Sequence, residues 1–223
     1  MVQVARDLVG CVVTHGETSG VIVETEAYHD SEPACHAFVG VTARTQTLFG
    51  PPGRAYVYRS YGIHALLNAV SEPEGVGAAV LIRALEPTGG LDLMRARRRL
   101  ARVQDLCSGP GKLTQALGID LGHNRGDLGR GPVRISAAEP GHDPRPLVAG
   151  PRVGITKAIE LPWRFCAADS ACVSRPRPAA TAVGEGVSAG GVGLAAAGAG
   201  GAGPAGGSCA TAARRGRAAP AAA

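Results

Sequence analysis

The chain has 223 residues, a formal net charge of +5 and a pI of about 9.1, and its length suits one domain with a tail. Residues 175–223, of which 34 are Ala, Gly or Pro, carry five Arg and one Glu, so this tail holds +4 of the charge. The nearly neutral remainder excludes overall basicity as an argument for nucleic-acid binding, and any basic surface must be local.

Export and membrane insertion are not expected. Arg6 and Asp7 interrupt the apolar run that a signal peptide needs. The uncharged residues 187–213 are mostly small and lack the large apolar side chains of a membrane span. The six Cys have no paired close spacing of the kind found in zinc ribbons or disulfide scaffolds, so we expect reduced thiols in a cytoplasmic protein.

The predicted elements begin with a helix over residues 2–9. Two antiparallel strands follow over residues 10–14 and 21–28, separated by the turn-rich string GETSG. Residues 30–53 are rich in turn formers and end in GPPG, which predicts a loop.

The next segment predicts a β-hairpin with an aromatic side chain at its tip. Strands over residues 54–60 and 63–71 meet at Tyr61 and Gly62, where the glycine can supply a positive φ. After this hairpin, the near-continuous apolar run of residues 77–85 predicts a buried strand that is interrupted by Arg83.

The remaining elements are shorter. Apolar spacing with intervening Arg predicts a helix over residues 91–103 with one basic face. A second helix is predicted to begin between residues 108 and 112 and to run through residue 117, before Gly118. Strands are predicted over residues 133–136, 152–156 and 164–167. Residues 1–174 are therefore expected to form the folded domain. Residues 175–223 cannot bury enough apolar area to offset an ordering cost of about 1 to 2 kcal/mol per residue, and we expect them to be disordered.

One strand face carries two carboxylates and a phenol. Strand periodicity places Glu24, Glu26 and Tyr28 together, with neighbours about 6.5 to 7 Å apart. Two Glu at this spacing usually indicate a solvated edge strand, but the apolar residues around them favour partial burial, where an ionised carboxylate needs a partner. Arg83 is the natural partner. Such an Arg is more often a structural counter-ion, yet a buried Glu and Arg can also hold and deprotonate a water.

Residues 33–71 contain no Asp or Glu. They do contain basic and imidazole side chains, namely His36, Arg44, Arg54, Arg59 and His64. Core packing is expected for Tyr56, which shares a strand face with Tyr58, whereas Tyr61 at the hairpin tip has no core to receive it. Positive potential combined with exposed aromatic side chains is typical of nucleic-acid contact.

Two other kinds of site are not expected. One loop gathers potential metal ligands, namely His29, Asp30, Glu32, Cys35 and His36, but an adjacent Cys and His seldom ligate one ion. The string GPGKLT around Lys112 lacks the first glycine of a phosphate-binding loop and has Leu113 where Ser or Thr is needed. With only two Lys in the chain, hydrolysis by an activated water is a more economical hypothesis than a Schiff base.

The ordered strings VETEAY, FGPPG, AYVYRSYGIH, LIRALEP and LCSGPGKLTQALGI resemble the alkyladenine-type 3-methyladenine DNA glycosylases, in family order and spacing, from about residue 4 to residue 165. The resemblance implies an α+β fold, a single domain with a curved, mostly antiparallel sheet, flanking helices and a protruding β-hairpin. It implies a monofunctional enzyme of bacterial base excision repair that flips alkylated or deaminated purines out of duplex DNA and hydrolyses the N-glycosidic bond. Neither metal nor cofactor is implied, and a monomer acting on damaged double-stranded DNA is expected.

The resemblance also implies catalytic roles. Glu26 matches the general base that activates the attacking water, and Arg83 and the backbone of Val153 match the groups that hold this water. Contacts with the DNA backbone are expected from three basic residues, Arg44, Arg54 and Lys112. For Lys112, a plain surface lysine is an equally good interpretation.

The remaining implied roles concern the flipped base. Tyr28, His36 and Tyr58 match the positions that enclose it, and Asn68 matches the position that obstructs the 2-amino group of guanine. Tyr61 matches the residue that wedges into the minor groove and fills the gap left by the base. An exposed aromatic side chain suits this role, because extrusion loses stacking energy that an inserted side chain must replace.

Two alternatives stay open. A non-catalytic damaged-DNA-binding protein could keep the pocket and the wedge, since the string RFCAADSACVS lacks the aromatic residue and the Arg that usually follow RF in the family. A nucleoside or glycoside hydrolase could instead use Glu24 and Glu26 as a pair. In the leading hypothesis Glu24 has no chemical role.

Overall fold

The computed structural model describes residues 1–137 and 145–178. It contains eight strands, which are β1 (Val12–His15), β2 (Thr18–His29), β3 (Ala55–Ser60), β4 (His64–Val70), β5 (Ala78–Gly89), β6 (Val133–Ser136), β7 (Leu147–Gly150) and β8 (Arg164–Ala167). The helices are α1 (Val2–Asp7), α2 (Leu91–Arg98), α3 (Val103–Leu106) and α4 (Pro110–Leu117), and short 3-10 turns lie at His36–Val39, Gln46–Phe49 and Leu121–His123.

The strands form one antiparallel sheet in the order β3-β4-β5-β2-β1-β6, with β8 also paired to β2 and β7 paired to β8. The sheet curls into a half-barrel, which confirms the predicted α+β class. Pro176 and Arg177 also hydrogen bond to the domain, through Arg164 Nη1 and Ser170 O, and the boundary at residue 174 stays a prediction. The predicted disorder of residues 179–223 lies outside the described residues.

The long strand β2 bends in the middle and thereby positions the two glutamates. Its first half pairs with β1, whereas Glu24 to Glu26 pair with β8, and β5 follows its other edge throughout. The register with β5 shifts on either side of Glu24, which is the irregularity of a β-bulge that re-aims side chains. As a result, both Glu24 and Glu26 are fully buried.

The β3-β4 hairpin carries the predicted aromatic tip. A hydrogen bond from Ile63 N to Ser60 O (3.1 Å) closes the turn, and both central residues have positive φ, 49° at Tyr61 and 72° at Gly62. Sequence analysis expected this conformation only for the glycine. A left-handed non-glycine residue costs about 1 to 2 kcal/mol, and the Tyr61 side chain nevertheless remains 86% exposed.

The main core lies between the sheet and the helices α2 and α4. Its largest fully buried side chains include Ile22, Leu67, Ile82, Met94, Leu113 and Leu117, and burial of each stabilises the fold by about 1.5 to 3 kcal/mol. This packing presses the start of α4 against the hairpin. A Cβ at Gly111 would lie 2.8 Å from His64 Cγ, so only glycine permits this close approach.

Two predicted elements were wrong. The helix predicted over residues 91–103 ends at Arg98, because Arg99 adopts a left-handed φ of 53° and Leu100 is 40% exposed, so no apolar face continues. No strand forms over residues 152–156. β7 ends before Pro151, which lacks an N–H for strand pairing, and the N–H of Val153 bonds to a side chain instead.

Candidate active site

A cavity of about 550 Å³ opens beside the hairpin. Its walls come from the end of β2, the loop after it, β3, β4, β5, the start of α4 and residues 153–155. Aromatic rings dominate one wall. The rings of Tyr56 and Tyr58 stack with centroids 5.4 Å apart, and His36 meets Tyr58 edge-on at 4.6 Å. Tyr28 and Asn68 also line this cavity.

The imidazole of His36 is held in one tautomer. Arg44 Nη2 lies 3.2 Å from Nε2, and the hydroxyl of Tyr56 lies 3.1 Å from Nδ1. Because a guanidinium can only donate, Nε2 is the acceptor and Nδ1 carries the proton. Burial, followed by the charge of Arg44, lowers the pKa of His36 to about 4, so the ring that faces the cavity is neutral at pH 7.

Glu26 lies directly behind the cavity wall. Its Oε2 accepts hydrogen bonds from the hydroxyl of Tyr28 (2.8 Å) and from Arg83 Nη1 (3.2 Å), and its Oε1 accepts one from Val153 N (2.7 Å). Burial raises the pKa of Glu26, although these donors oppose the rise. A carboxylate whose pKa is raised towards neutrality is suited to general base catalysis.

Glu24 has a different environment. Its carboxylate accepts hydrogen bonds from Arg83 Nε (2.9 Å), Arg164 Nε (2.7 Å), Ser174 N (2.7 Å) and Ser174 Oγ (2.8 Å). Burial alone would raise the pKa of Glu24, but the two guanidiniums and the Ser174 bonds outweigh it and hold the pKa below its usual value. Glu24 is therefore ionised and occupied on both oxygens.

The cavity lining is basic. No Asp or Glu occurs among its lining residues in the described part of the chain, whereas Arg59, His64, Arg98 and Lys112 do. Tyr61 also lines this cavity. Arg44 is an exposed residue of the lining, with its guanidinium carbon 5.7 Å from the Tyr58 ring centroid. Arg54 is not among the residues that line the cavity. Its Nη1 lies 3.7 Å from Asp127 Oδ2 instead.

The amino-acid sequence matches a known protein family over most of its length. Residues 1–171 match the family described as methylpurine-DNA glycosylase (MPG). The chain belongs to the methylpurine-DNA glycosylase family. It is therefore an enzyme, a hydrolase that acts on N-glycosyl bonds.

Similar proteins carry names derived from 3-methyladenine DNA glycosylase activity. One from Rhodopseudomonas palustris is 53% identical over 176 residues, which cover 79% of this chain and 84% of the relative. One from Nitrosospira multiformis is 51% identical over 175 residues, with coverage of 78% and 89%. One from Methanoculleus marisnigri is 52% identical over 179 residues, with coverage of 78% and 93%.

Other features of this methylpurine-DNA glycosylase family member bear on the remaining predictions. In the described ranges, no helix has the length and apolarity to cross a membrane, and no three or more His, Cys, Asp or Glu form a group that could hold a metal ion. The loop considered for metal binding is used otherwise, since Glu32 pairs with Arg152 and Asp30 Oδ2 accepts a hydrogen bond from Gly77 N (2.9 Å).

Sequence analysis missed several buried polar residues around the glutamates. Arg164 is 1% exposed and bonds to Glu24. Arg164 stands beside apolar residues in the predicted strand RFCA, just as Arg83 does in its strand. This pattern could have indicated a buried cation that needs a carboxylate partner. Arg152 and Glu32 form a second buried pair, but nothing in the sequence links residues 120 positions apart.

Proposed function

We propose that this enzyme removes alkylated or deaminated purines from duplex DNA by flipping the damaged nucleotide into the cavity and hydrolysing its N-glycosidic bond. The observation that carries the proposal is the contact of buried Glu26 with three groups of the cavity wall, namely Tyr28, Arg83 and Val153. Glu26 thereby lies one side-chain layer away from any base held in the cavity.

Glu26 is the proposed general base. Each carboxylate oxygen can accept two hydrogen bonds, and Oε1 accepts one, from Val153 N. A water that donates to the other lone pair of Oε1 would lie beside Val153, and Arg83, which also lines the cavity, is the residue proposed to orient it. Glu26 would take a proton from this water while the water oxygen attacks C1′ of the sugar. The N-glycosidic bond would break, and the purine would leave with its electron pair.

The aromatic wall suits a cationic purine. Methylation at N3 or N7 gives the base a positive charge, which faces of Tyr rings stabilise by about 0.5 to 2 kcal/mol. The charge already makes the base a good leaving group, so one carboxylate suffices instead of the acid and base pair of ordinary glycosidases. Neutral His36 adds no repulsion to such a cation.

Asn68 is the proposed selector against normal guanine. Its Nδ2 donates to Tyr56 O (3.0 Å) and to Leu66 O (3.4 Å), and the residue is 5% exposed. These bonds fix the side chain at the cavity wall, where a base with an extra 2-amino group would collide with it.

Abasic-site formation tests the function. Duplexes that each contain one 3-methyladenine, 7-methylguanine, hypoxanthine or ethenoadenine would be incubated with the protein, and alkaline strand cleavage would be followed on a gel. Cleavage at one or more lesions, but not in undamaged duplex, is expected. Binding of the lesions without cleavage would instead support the non-catalytic alternative.

Tyr61→Ala is expected to slow base release from duplex about 10- to 100-fold, because stacking of a base on an aromatic side chain contributes about 1 to 3 kcal/mol. The Tyr61 side chain is 86% exposed at the hairpin tip, where it could replace an extruded base. Leu93→Ala, at another partly exposed apolar residue, is the control. Release from methylated free nucleoside should be unchanged, and an equal loss on nucleoside and duplex would refute the wedge role.

A further inference from the structure

A buried ion pair lies next to the site and has no role in the mechanism above. Arg152 Nη1 and Nη2 donate to the two oxygens of Glu32, at 2.6 and 3.0 Å. Both residues are 5% exposed. Two parallel hydrogen bonds between a guanidinium and a carboxylate fix the plane and direction of both groups.

The guanidinium of Arg152 also contacts the residue that bonds to Glu26. Its carbon lies 4.6 Å from the ring centroid of Tyr28 and 5.4 Å from that of Trp163. Its Nη1 donates to Ala27 O (3.0 Å), the carbonyl between Glu26 and Tyr28. Arg152 thus restrains both the ring and the backbone of Tyr28, whose hydroxyl donates to Glu26 Oε2.

The same residue fixes the second donor to Glu26. Val153 follows Arg152 in the chain, and its N–H donates to Glu26 Oε1. Arg152 Nη2 closes this loop by donating to Ala158 O (3.2 Å), and Gly154 with φ 80° allows the turn. One side chain therefore organises two of the three donors that hold the Glu26 carboxylate, one on each oxygen.

We infer that Arg152, oriented by Glu32, is a positioning residue for the hydrolysis, which holds the Tyr28 hydroxyl and the Val153 N–H on the two oxygens of Glu26. The inference rests on the proposed function of Glu26. Arg152 does not line the cavity, so its effect reaches the substrate only through Tyr28, Val153 and Glu26.

Loss of Arg152 should change both geometry and acidity at Glu26. Weaker donors, and removal of a nearby cation, disfavour the carboxylate form, so Glu26 would ionise only at higher pH. The charged or titratable groups around Glu26 in the described structure are Glu24 and Tyr28 on β2, Tyr58 on β3, Arg83 on β5, Arg152 before Val153, and Arg164 and Cys166 on β8.

A merely structural ion pair predicts a different result. It would lower the melting temperature when broken but would leave the pH dependence of the reaction unchanged. Arg145 provides the matched control, because it pairs with Glu86 Oε2 (2.7 Å) and Asp169 Oδ1 (3.1 Å) and does not line the cavity.

The test compares native protein, Arg152→Gln, Arg152→Lys and Arg145→Gln in single-turnover release of 7-methylguanine from duplex between pH 5 and 9. For Arg152→Gln we expect a rate loss of about 100-fold, the size that a small misplacement of catalytic groups produces, with an acid limb at higher pH and unchanged duplex affinity. Arg152→Lys keeps the charge but not the bidentate bond. It should therefore react about 10 times faster than Arg152→Gln, and the acid limb of its pH profile should lie close to that of native protein.

A double variant guards against misfolding, because one unpaired buried charge destabilises strongly whereas loss of both charges is often tolerated. Glu32→Gln/Arg152→Gln, with native circular dichroism, should lose rate as Arg152→Gln does. Native rate and acid limb in a folded Arg152→Gln or double variant would overturn the inference, even if the melting temperature falls. Glu26→Gln measured in parallel separates the two claims, since a native rate in that variant would refute the general-base role of Glu26 on which this inference rests, whereas loss of rate only in Glu26→Gln would refute the role of Arg152 alone.

Discussion

The Glu26→Gln protein is expected to release base from methylated duplex about 10² to 10⁴ times more slowly than native protein, the range that loss of a general base produces. Its affinity for the duplex and its fold should be preserved. Burial raises the pKa of Glu26, which means that the ionised form is disfavoured in the folded protein. Neutral glutamine removes this penalty, but its amide nitrogen cannot accept the hydrogen bonds made to one of the two carboxylate oxygens, so the two effects oppose each other and the melting temperature should stay close to the native value.

The measurement is single-turnover base release with saturating protein, with fluorescence anisotropy for binding and thermal unfolding for stability. Glu17→Gln, at an exposed glutamate, is the matched control and should behave as native. A Glu26→Gln rate within a factor of about three of native would show that Glu26 is not the base.

In contrast to Glu26→Gln, the substitution Glu24→Gln is expected to lower the stability of the fold strongly. Glu24→Gln leaves Arg83 and Arg164 buried and removes the carboxylate that both guanidiniums share. Breaking a buried pair by removing one partner costs about 3 to 5 kcal/mol. This loss corresponds to a fall in melting temperature of about 10 °C for a domain of this size.

The pH dependence of the free energy of unfolding is a second test of how ionised Glu24 stabilises the fold. Its pKa is lower in the folded protein than in the unfolded chain, so its stabilisation is present above the unfolded pKa, about 4.3, and is lost as pH falls through the folded value. Denaturant unfolding from pH 7 to pH 3 should therefore show a weaker acid destabilisation in Glu24→Gln than in native protein. Equal stability of the two proteins at pH 7 would contradict the role assigned to this carboxylate.

The parts of the fold that could be predicted are those set by local pattern. Apolar and β-branched runs bounded by turn formers predict β2, and two strand-like strings that meet at Tyr61 and Gly62 locate the hairpin turn. A single charged residue in the apolar run of β5 is enough for the sequence to predict the Glu24, Glu26 and Arg83 cluster, because a buried ion needs a partner. The hydrogen bonds from Arg83 to Glu24 and Glu26 in the structure confirm this pairing.

The parts that could not be predicted depend on tertiary contacts. Val153 lies in a string with strand-like composition, yet its N–H bonds to Glu26 across 127 positions, and this contact replaces strand pairing. Similarly, the left-handed turn at Arg99 ends α2 for reasons that its Arg-rich composition does not reveal. Periodicity reports which face of an element is apolar, but not which distant polar group will claim a backbone N–H.

Ionised Glu26 is proposed to take a proton from the attacking water, and the sharpest test of this role is the pH dependence of 7-methylguanine release from duplex by the native protein. This lesion is already cationic, so its departure needs no protonation and the acid limb reports the base alone. We expect a rate that falls with decreasing pH, with a midpoint above the ordinary glutamate pKa of about 4.3, because burial raises the pKa of Glu26. A rate independent of pH between 8 and 5, retained in Glu26→Gln, would contradict it.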